Sequence, residues 1–217
     1  DKDAIPAVGS AVVMDVNTGA VLACATYPSY DLNTYYQNYE ALSKDKSSPL
    51  WNRALMSTYE PGSTMKPAIA AAGLEEGVIT ETSKFYCSHI YRQFTDTTFK
   101  CLGSHGWIDV KNALNQSCNI YFYETGRLLG INRMNDYCTR FGLGQKTGVE
   151  INESSGVLAG IAYREAHGGT WYPGDTVQAA IGQSDNLFTP IQLCSYVSTI
   201  ANGGTRYRAH FVKSVKS

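Results

Sequence analysis

The stretch from 61 to 77 constrains the fold and chemistry of this 217-residue chain more than any other. An Ala-rich run follows a Pro-Gly-Ser turn and ends at Gly77, a pattern typical of a helix with a glycine C-cap. Ser63 and Lys66 stand three residues apart at its start and share one helical face. An amine within reach of a hydroxyl can take its proton, and a helix N-terminus favours an oxyanion. The stretch therefore predicts a serine nucleophile with its own base.

The Ser-x-x-Lys spacing is weak evidence alone, because it occurs a second time at Ser43 and Lys46. That copy lies in the charged run SKDKSS, where no helix is predicted to present it. A solvated loop is the better interpretation there, and the apolar context favours Ser63.

A second motif, Ser-x-Asn, also has two candidates. Ser117 and Asn119 break a helical pattern 54 residues after Ser63. The literal SDN at 184–186 lies 121 residues after Ser63 and leads into a Pro-started helix. Because a proton relay must meet the nucleophile from a neighbouring helical turn, Ser117 and Asn119 are the predicted pair. Ser184 is interpreted as a helix-entry residue.

The third candidate motif is the literal Lys-Thr-Gly that begins at Lys146. It follows Gly142, the predicted C-cap of a helix, and lies only 29 residues after Ser117. A loop from a helix to a strand is the interpretation that we favour for it.

The remaining pattern predicts a hairpin and several helices. Lys plus Arg is 18 and Asp plus Glu is 19, so the net charge of −1 excludes a nucleic-acid binder that relies on a basic field. No run in the sequence approaches the roughly 20 apolar residues of a membrane span.

The predicted elements are a hairpin (8–16 with 20–26), a polar excursion with one short helix (29–50), an irregular loop (81–106), helices (109–129, broken near 117; 131–141; 189–202) and a strand that begins in 207–215.

Several segments resemble a known family: PGSTMKP, SCNIYFYE, FGLGQKTGVEI, WYPGDT and ANGGTRYR. Together they are similar to the transpeptidase domain of class B penicillin-binding proteins, closest to the elongation-type penicillin-binding proteins 2. The resemblance implies an α+β penicillin-binding transpeptidase (serine β-lactamase-like) fold, with a helical subdomain and an antiparallel sheet. It also implies that 1–217 is a partial domain, incomplete at its C-terminal end, whose own Lys-Thr-Gly strand would follow. The family's Gly-Gln-Gly is Gly-Gln-Ser here, at 182–184.

The resemblance further implies a peptidoglycan D,D-transpeptidase that cross-links stem peptides ending in D-Ala-D-Ala and is acylated by β-lactams. Ser63 would attack the donor peptide, and Lys66, held neutral by burial among cationic groups, would accept the proton. Ser117 would relay a proton to the leaving D-Ala, while Asn119 would hold the substrate amide and orient Lys66. The implied setting is extracytoplasmic, with an N-terminal membrane anchor outside this chain, a glycosyltransferase partner and no nucleic acid. A serine β-lactamase and a β-lactam-sensing ectodomain remain alternatives.

Cys87, Cys101, His105 and Cys118 form a candidate metal site. Their spacings of 14, 4 and 13 are not those of a zinc finger, but zinc favours four Cys or His ligands and clamps loops that lack a core. Some penicillin-binding proteins 2 are similar in holding zinc in this loop and at the second motif, which implies a structural zinc. A Cys87–Cys101 disulfide or free thiols remain alternatives, and His89 would replace Cys87 if that thiol pointed away. Ordinary core or surface roles are expected for Cys24, Cys138, Cys194, His167 and His210.

Overall fold

The computed structural model describes residues 7–215 of the chain. Two compact units are formed. The first combines residues up to 59 with 145–156 and those from 188 onward, and the second comprises 60–144 and 157–187. The chain therefore passes from one unit to the other four times.

Along the described residues, a pair of strands is followed by three α-helices, four short strands and six further α-helices. The helices are α1 (Tyr35–Lys44), α2 (Arg53–Met56), α3 (Lys66–Glu75), α4 (Val110–Asn115), α5 (Asn119–Leu129), α6 (Ile131–Arg140), α7 (Ile161–Ala166), α8 (Pro173–Ala179) and α9 (Pro190–Ala201). The strands are β1 (Gly9–Met14), β2 (Val21–Tyr27), β3 (Phe85–Cys87), β4 (Ile90–Tyr91), β5 (Phe99–Lys100) and β6 (Gly106–Ile108). The α+β prediction is confirmed.

The first unit is built on the predicted hairpin and on α9. Strand β1 pairs antiparallel with β2, with Val12 opposite Cys24. Helix α9 begins at Pro190, where the sequence predicts. Thr189 at the N-cap and Gln192 at the third helical position form a reciprocal capping box around this start. It packs against β1 and α2. The core of this unit is formed by Met14, Leu55, Val149, Ile191 and Ala209.

Helix α5 lies at the centre of the second unit, where it contacts α3, α6 and α8. The close approach of α3 depends on Gly73, since a Cβ there would lie 2.8 Å from the Thr125 Cγ2 atom. Lys66 is the first residue of α3 and Asn119 the first of α5. The packing of these two helices therefore sets the geometry of both predicted motifs.

The predicted irregular loop at 81–106 contains two small ribbons. Strand β3 pairs with β6, and β4 pairs with β5, both antiparallel. Each strand is only two or three residues long, and its partner lies beyond an intervening loop. The local sequence therefore shows no clear period.

Two predictions about strands are corrected by the structure. The strand predicted in 207–215 is an isolated bridge, in which His210 lies beside Ala20. No strand follows Gly148 within 149–156, so the Lys-Thr-Gly loop does not lead into one. The sequence does not predict helices α2, α7 and α8, because each is only one or two turns long. Within the described residues, every helix falls short of the length and apolarity that a membrane span requires.

Candidate active site

Ser63 lies in a 3-10 turn, Gly62–Met65, that continues into α3. Residues three apart nearly eclipse one another in this geometry, so Ser63 and Lys66 begin on one face. The Gly62 N–H donates to the Gly182 carbonyl at 2.9 Å and fixes the backbone just before Ser63. A Cβ on Gly182 would lie 2.2 Å from the Gly62 carbonyl oxygen, so this contact requires glycine.

A chain of hydrogen bonds joins Ser63 to Lys66 through Ser117. Lys66 Nζ donates to Ser117 Oγ at 2.9 Å, and the Ser117 hydroxyl donates to Ser63 Oγ at 2.9 Å. The ammonium also donates to the Ser117 carbonyl at 2.8 Å and to Asn119 Oδ1 at 2.7 Å. The structure thus brings together the four predicted side chains. It differs from the sequence expectation in one respect, because Ser117 stands between the nucleophile and the amine.

Burial controls the protonation of Lys66. The side chain is 1 % exposed, and its Nζ lies 5.7 Å from the centre of the Phe122 ring. Desolvation disfavours the charged form and lowers the Lys66 pKa to about 8. The expectation of cationic surroundings is wrong, because the ionisable neighbours that act on it are the thiols of Cys101 and Cys118. Deprotonation of either thiol would stabilise the ammonium and so acts to raise the Lys66 pKa.

The break between α4 and α5 presents Ser117. Ser117 has a φ of 52°, a left-handed conformation that is uncommon for a residue other than glycine. The Cys118 N–H donates to the Ala113 carbonyl at 2.9 Å and closes the break, after which Cys118 caps α5. Asn119 is held on its other side, where its Nδ2 donates to the Lys100 carbonyl at 3.3 Å. The predicted interruption of the helix near Ser117 is confirmed.

The second Ser-x-x-Lys copy is exposed and has no role in this site. Ser43 lies in the last turn of α1, where its hydroxyl donates to the Glu40 carbonyl at 2.9 Å. The prediction of a loop at Ser43 is wrong, since the Glu40–Lys44 ion pair at 2.5 Å supports a helical turn there. Lys46 lies beyond the end of that helix and is exposed.

The second Ser-x-Asn copy is a structural turn. Asn186 is fully buried, and its side chain accepts from the Ala159 N–H at 3.0 Å and donates to the Ala179 carbonyl at 3.2 Å. Ser184 has a φ of 64° and accepts from Arg164 at 3.2 Å. Ser184, which stands where the family has glycine, therefore has a left-handed backbone conformation, and its hydroxyl accepts a hydrogen bond from Arg164.

The Lys-Thr-Gly copy is also structural. The N–H and hydroxyl of Thr147 and the N–H of Gly148 donate to the buried Glu153 carboxylate at 2.8–2.9 Å. Lys146 itself is exposed. This triplet therefore folds a loop around a buried acid.

The four candidate metal ligands lie together, with ligand atoms all within 4.8 Å of one another: Cys87, Cys101, His105 and Cys118. His105 Nδ1 is 3.3 Å from the Cys87 sulfur and 3.6 Å from the Cys101 sulfur. The Cys101 and Cys118 sulfurs are 4.0 Å apart. Ligand atoms around a tetrahedral zinc ion would be about 3.5–3.8 Å apart. The donor set and its spacing therefore fit a four-coordinate zinc ion.

All six cysteines are free thiols, so the structure contains no Cys87–Cys101 disulfide. Cys87 points into the cluster, and His89 is not part of it. Burial alone would raise the pKa of the Cys101 thiol, but backbone N–H groups, including that of Asn119 at 3.3 Å, lower it below its ordinary value. Burial raises the pKa of Cys118. Of Cys101 and Cys118, Cys101 is therefore the more easily deprotonated thiol.

The sequence profile of the penicillin-binding protein transpeptidase domain matches residues 9–217. The chain belongs to the penicillin-binding protein transpeptidase family. A curated relative of this transpeptidase domain is the peptidoglycan D,D-transpeptidase MrdA of Salmonella typhimurium (strain SL1344), 34% identical over 95% of the chain and 35% of the relative. The domain thus spans about a third of the length of the curated relatives it matches.

Solved structures show the same fold. PBP2 of Pseudomonas aeruginosa in complex with WCK 5153 superposes with a TM-score of 0.89 at 35% identity, over 95% of this transpeptidase domain and 49% of that chain. A peptidoglycan synthase complex that coordinates polymerization and crosslinking superposes with a TM-score of 0.88 at 37% identity. The match covers 95% of this domain and 37% of that chain. The imipenem acyl-enzyme of penicillin-binding protein A from M. tuberculosis superposes with a TM-score of 0.79 at 26% identity. The match covers 93% of this domain and 48% of that chain. The predicted family and fold are confirmed.

Three contributors to the site of the transpeptidase domain were missed from the sequence. Phe122 lies beside the Lys66 ammonium, Gly182 holds the backbone before Ser63, and the Lys100 carbonyl holds Asn119. Phe122 could have been found, because it lies three residues after Asn119 on one helical face. The other two act through backbone atoms, which leave no side-chain pattern.

Proposed function

We propose that this domain is the catalytic part of a peptidoglycan D,D-transpeptidase that works through an acyl-enzyme on Ser63. The observation that carries the proposal is the hydrogen-bond chain from Lys66 through Ser117 to Ser63. The relative named as a peptidoglycan D,D-transpeptidase and the neighbour described as an acyl-enzyme support it.

Acylation begins when Lys66 is neutral. The amine then accepts a hydrogen bond from Ser117, and Ser117 accepts one from Ser63, so both bonds reverse direction. The Ser63 proton passes to Ser117 and the Ser117 proton to Lys66 as Ser63 Oγ bonds to the penultimate D-Ala carbonyl carbon. The bond to the terminal D-Ala nitrogen then breaks, and the leaving amine takes a proton back through Ser117.

The acyl-enzyme is resolved by an acceptor amine from a second stem peptide. That amine attacks the ester carbonyl and gives its proton to the Ser117–Lys66 relay, while Ser63 leaves as a hydroxyl. The Ser63 N–H at the start of the helix is a donor for the oxyanion in both halves. A β-lactam carbonyl acylates Ser63 by the first half alone.

Zinc is proposed as a structural ion held by Cys87, Cys101, His105 and Cys118. An ion bound by four protein ligands has no open position, so it supplies folding energy and a fixed loop. Cys118 lies between the two residues of the Ser-x-Asn motif, and the Asn119 N–H donates to the Cys101 sulfur. A clamp at these thiols would fix the backbone that carries Ser117 and Asn119.

The proposed setting is extracytoplasmic, in a membrane-anchored protein that acts with a glycosyltransferase. The similarity to a synthase complex that coordinates polymerization and crosslinking supports this pairing. The net charge of −1 is consistent with a protein that acts on cell-wall peptide and does not bind nucleic acid through a basic surface.

Labelling with a fluorescent penicillin tests the enzymatic proposal in the full-length protein. Durable labelling that Ser63→Ala abolishes and Ser43→Ala leaves unchanged is expected. Rapid release of the label would instead indicate a β-lactamase. Durable labelling without cross-linking of stem peptides in a reconstituted assay would indicate a sensor.

Metal analysis tests the zinc proposal separately. About one zinc per chain is expected, with loss in Cys118→Ser and retention in the control Cys24→Ser, whose thiol lies outside the cluster. A metal-free protein with Cys87 linked to Cys101 by mass spectrometry would contradict the proposal.

A further inference from the structure

A cavity of about 350 Å³ lies between the two ribbons and α5, lined in part by Lys84, Tyr86, Arg92, Trp107, Ile120 and Glu124. Its volume falls within the range of sites for small ligands. None of the four candidate catalytic side chains lines it. It is therefore a feature separate from the Ser63 hydrogen-bond chain.

Two aromatic side chains form an exposed ledge at the cavity. Tyr86 and Trp107 face each other across the β3–β6 pair, with ring centres 5.5 Å apart. Tyr86 is 57 % exposed and Trp107 is 70 % exposed. Their strand neighbours Cys87 and Ile108 are buried on the other face. Single exposed aromatics are ordinary, but an adjacent pair beside a cavity is typical of a binding surface.

The charge around the cavity favours an anionic ligand. Lys84 and Arg92 are exposed cations, and neither makes an ion pair within 4.0 Å among residues 7–215. The Glu124 carboxylate is already engaged by Arg127 at 2.6 and 3.0 Å. The Asn112 N–H lowers the pKa of the Asp109 carboxyl, which caps α4, and the charge of Lys84 lowers it further. Two cations therefore face the cavity with only partial neutralisation.

We propose that this cavity and its ledge bind a peptidoglycan strand, with a sugar ring on Tyr86 and Trp107 and a stem-peptide carboxylate between Lys84 and Arg92. The C–H face of a sugar ring is apolar and flat, so it can pack on the face of one aromatic ring and touch the other, whose plane is tilted by 59°. A carboxylate forms strong charge-assisted hydrogen bonds with Lys and Arg. The proposal rests on the proposed function, because that function makes this polymer the substrate.

The N-terminal turn of α5 joins this surface to the active site. Asn119 contacts Lys66, and the next residue, Ile120, lines the cavity. Because these residues are consecutive in one helix, the cavity and the hydrogen bond to Lys66 share the first turn of α5. Tethering the polymer raises the effective concentration of its stem peptides without any new contact at the nucleophile.

Calorimetry with disaccharide–stem-peptide fragments, released from peptidoglycan by a muramidase, tests the proposal in the full-length Ser63→Ala protein. Trp107→Ala and Tyr86→Ala are each expected to weaken binding about tenfold, and Arg92→Gln to weaken it and reduce its salt dependence. Trp51→Ala and Tyr36→Ala are matched controls, since both rings are exposed and outside the cavity. No binding, or equal binding by the ledge variants and the controls, overturns the proposal.

The two parts of the ligand are separated by further probes. Sugar chains without peptide and stem peptides without sugar should each bind more weakly than the intact fragment. A peptide that binds as tightly as the intact fragment contradicts the role of the ledge, and a bare sugar chain that does so contradicts the role of the cations.

Fluorescent penicillin, added to ledge variants that retain Ser63, separates this proposal from the proposed function. The probe contains no sugar, so these variants should label normally, which also shows that they fold. Failure of the parent to label, with fragment binding intact, would contradict the acyl-enzyme and leave the ledge site standing. Normal labelling without fragment binding overturns only the ledge site.

Discussion

Burial of Lys66 predicts a specific pH profile for acylation. With a pKa of about 8, the amine is about 9 % neutral at pH 7 and about 91 % neutral at pH 9. Only the neutral amine can accept the proton that leaves Ser63, so the rate of acylation should rise about tenfold over this interval and then level off. An amine at the ordinary value of 10.5 would instead give a rise of about a hundredfold with no plateau.

The assay is the second-order rate of fluorescent-penicillin labelling from pH 6 to pH 10 at constant ionic strength. Circular dichroism at each pH controls for unfolding, and hydrolysis of the probe in buffer is subtracted. A flat profile would show that Lys66 is not the base that limits acylation. A slope that continues unchanged through pH 9 would refute the argument that burial lowers its pKa.

Two further predictions concern the relay and the turn behind the nucleophile. Ser117→Ala should slow labelling by about 10²–10⁴-fold, whereas Ser184→Ala should stay within about twofold, measured as the same second-order rate. Gly182→Ala should lower the free energy of unfolding in urea by more than about 2 kcal/mol, because its Cβ would meet the Gly62 carbonyl at 2.2 Å. Gly77→Ala is the matched control, since its φ of 67° is also left-handed but the space around it is open, and it should cost about 1 kcal/mol. Equal losses at Gly182 and Gly77, or equal rates for the two serine variants, would contradict these assignments.

Local signals predicted much of the fold. The hairpin, α3, α6 and α9 follow from periodicity and from caps that neighbouring residues supply, such as Thr189 with Gln192. The ribbons in 85–108 could not be found in this way, because their strands are short and pair across distant positions. The charged neighbours of Ser43 predict a solvated loop, but the ion pair between Glu40 and Lys44, at i and i+4, supports a helix there.

Sequence context chose among repeated motifs at the site, but it could not give their geometry. The apolar helix after Ser63 and the break at Ser117 identified side chains that the structure places in one hydrogen-bond chain. The position of Ser117 between Ser63 and Lys66 depends on a left-handed residue and on the packing of α3 against α5, and both are tertiary effects.

The same short segment serves two groups of side chains. The Ser117 hydroxyl donates to Ser63, and the Asn119 side chain accepts from Lys66. Between them, Cys118 belongs to the thiol cluster. The Asn119 N–H also donates to the Cys101 sulfur of that cluster. A residue in the left-handed region costs about 1–3 kcal/mol unless its surroundings hold it in place. Hydrogen bonds from the Ser117 and Cys118 N–H groups to α4, and from Lys66 to Ser117, supply that restraint. The relay hydroxyl and one thiol of the cluster are therefore carried by consecutive residues of a single restrained backbone segment.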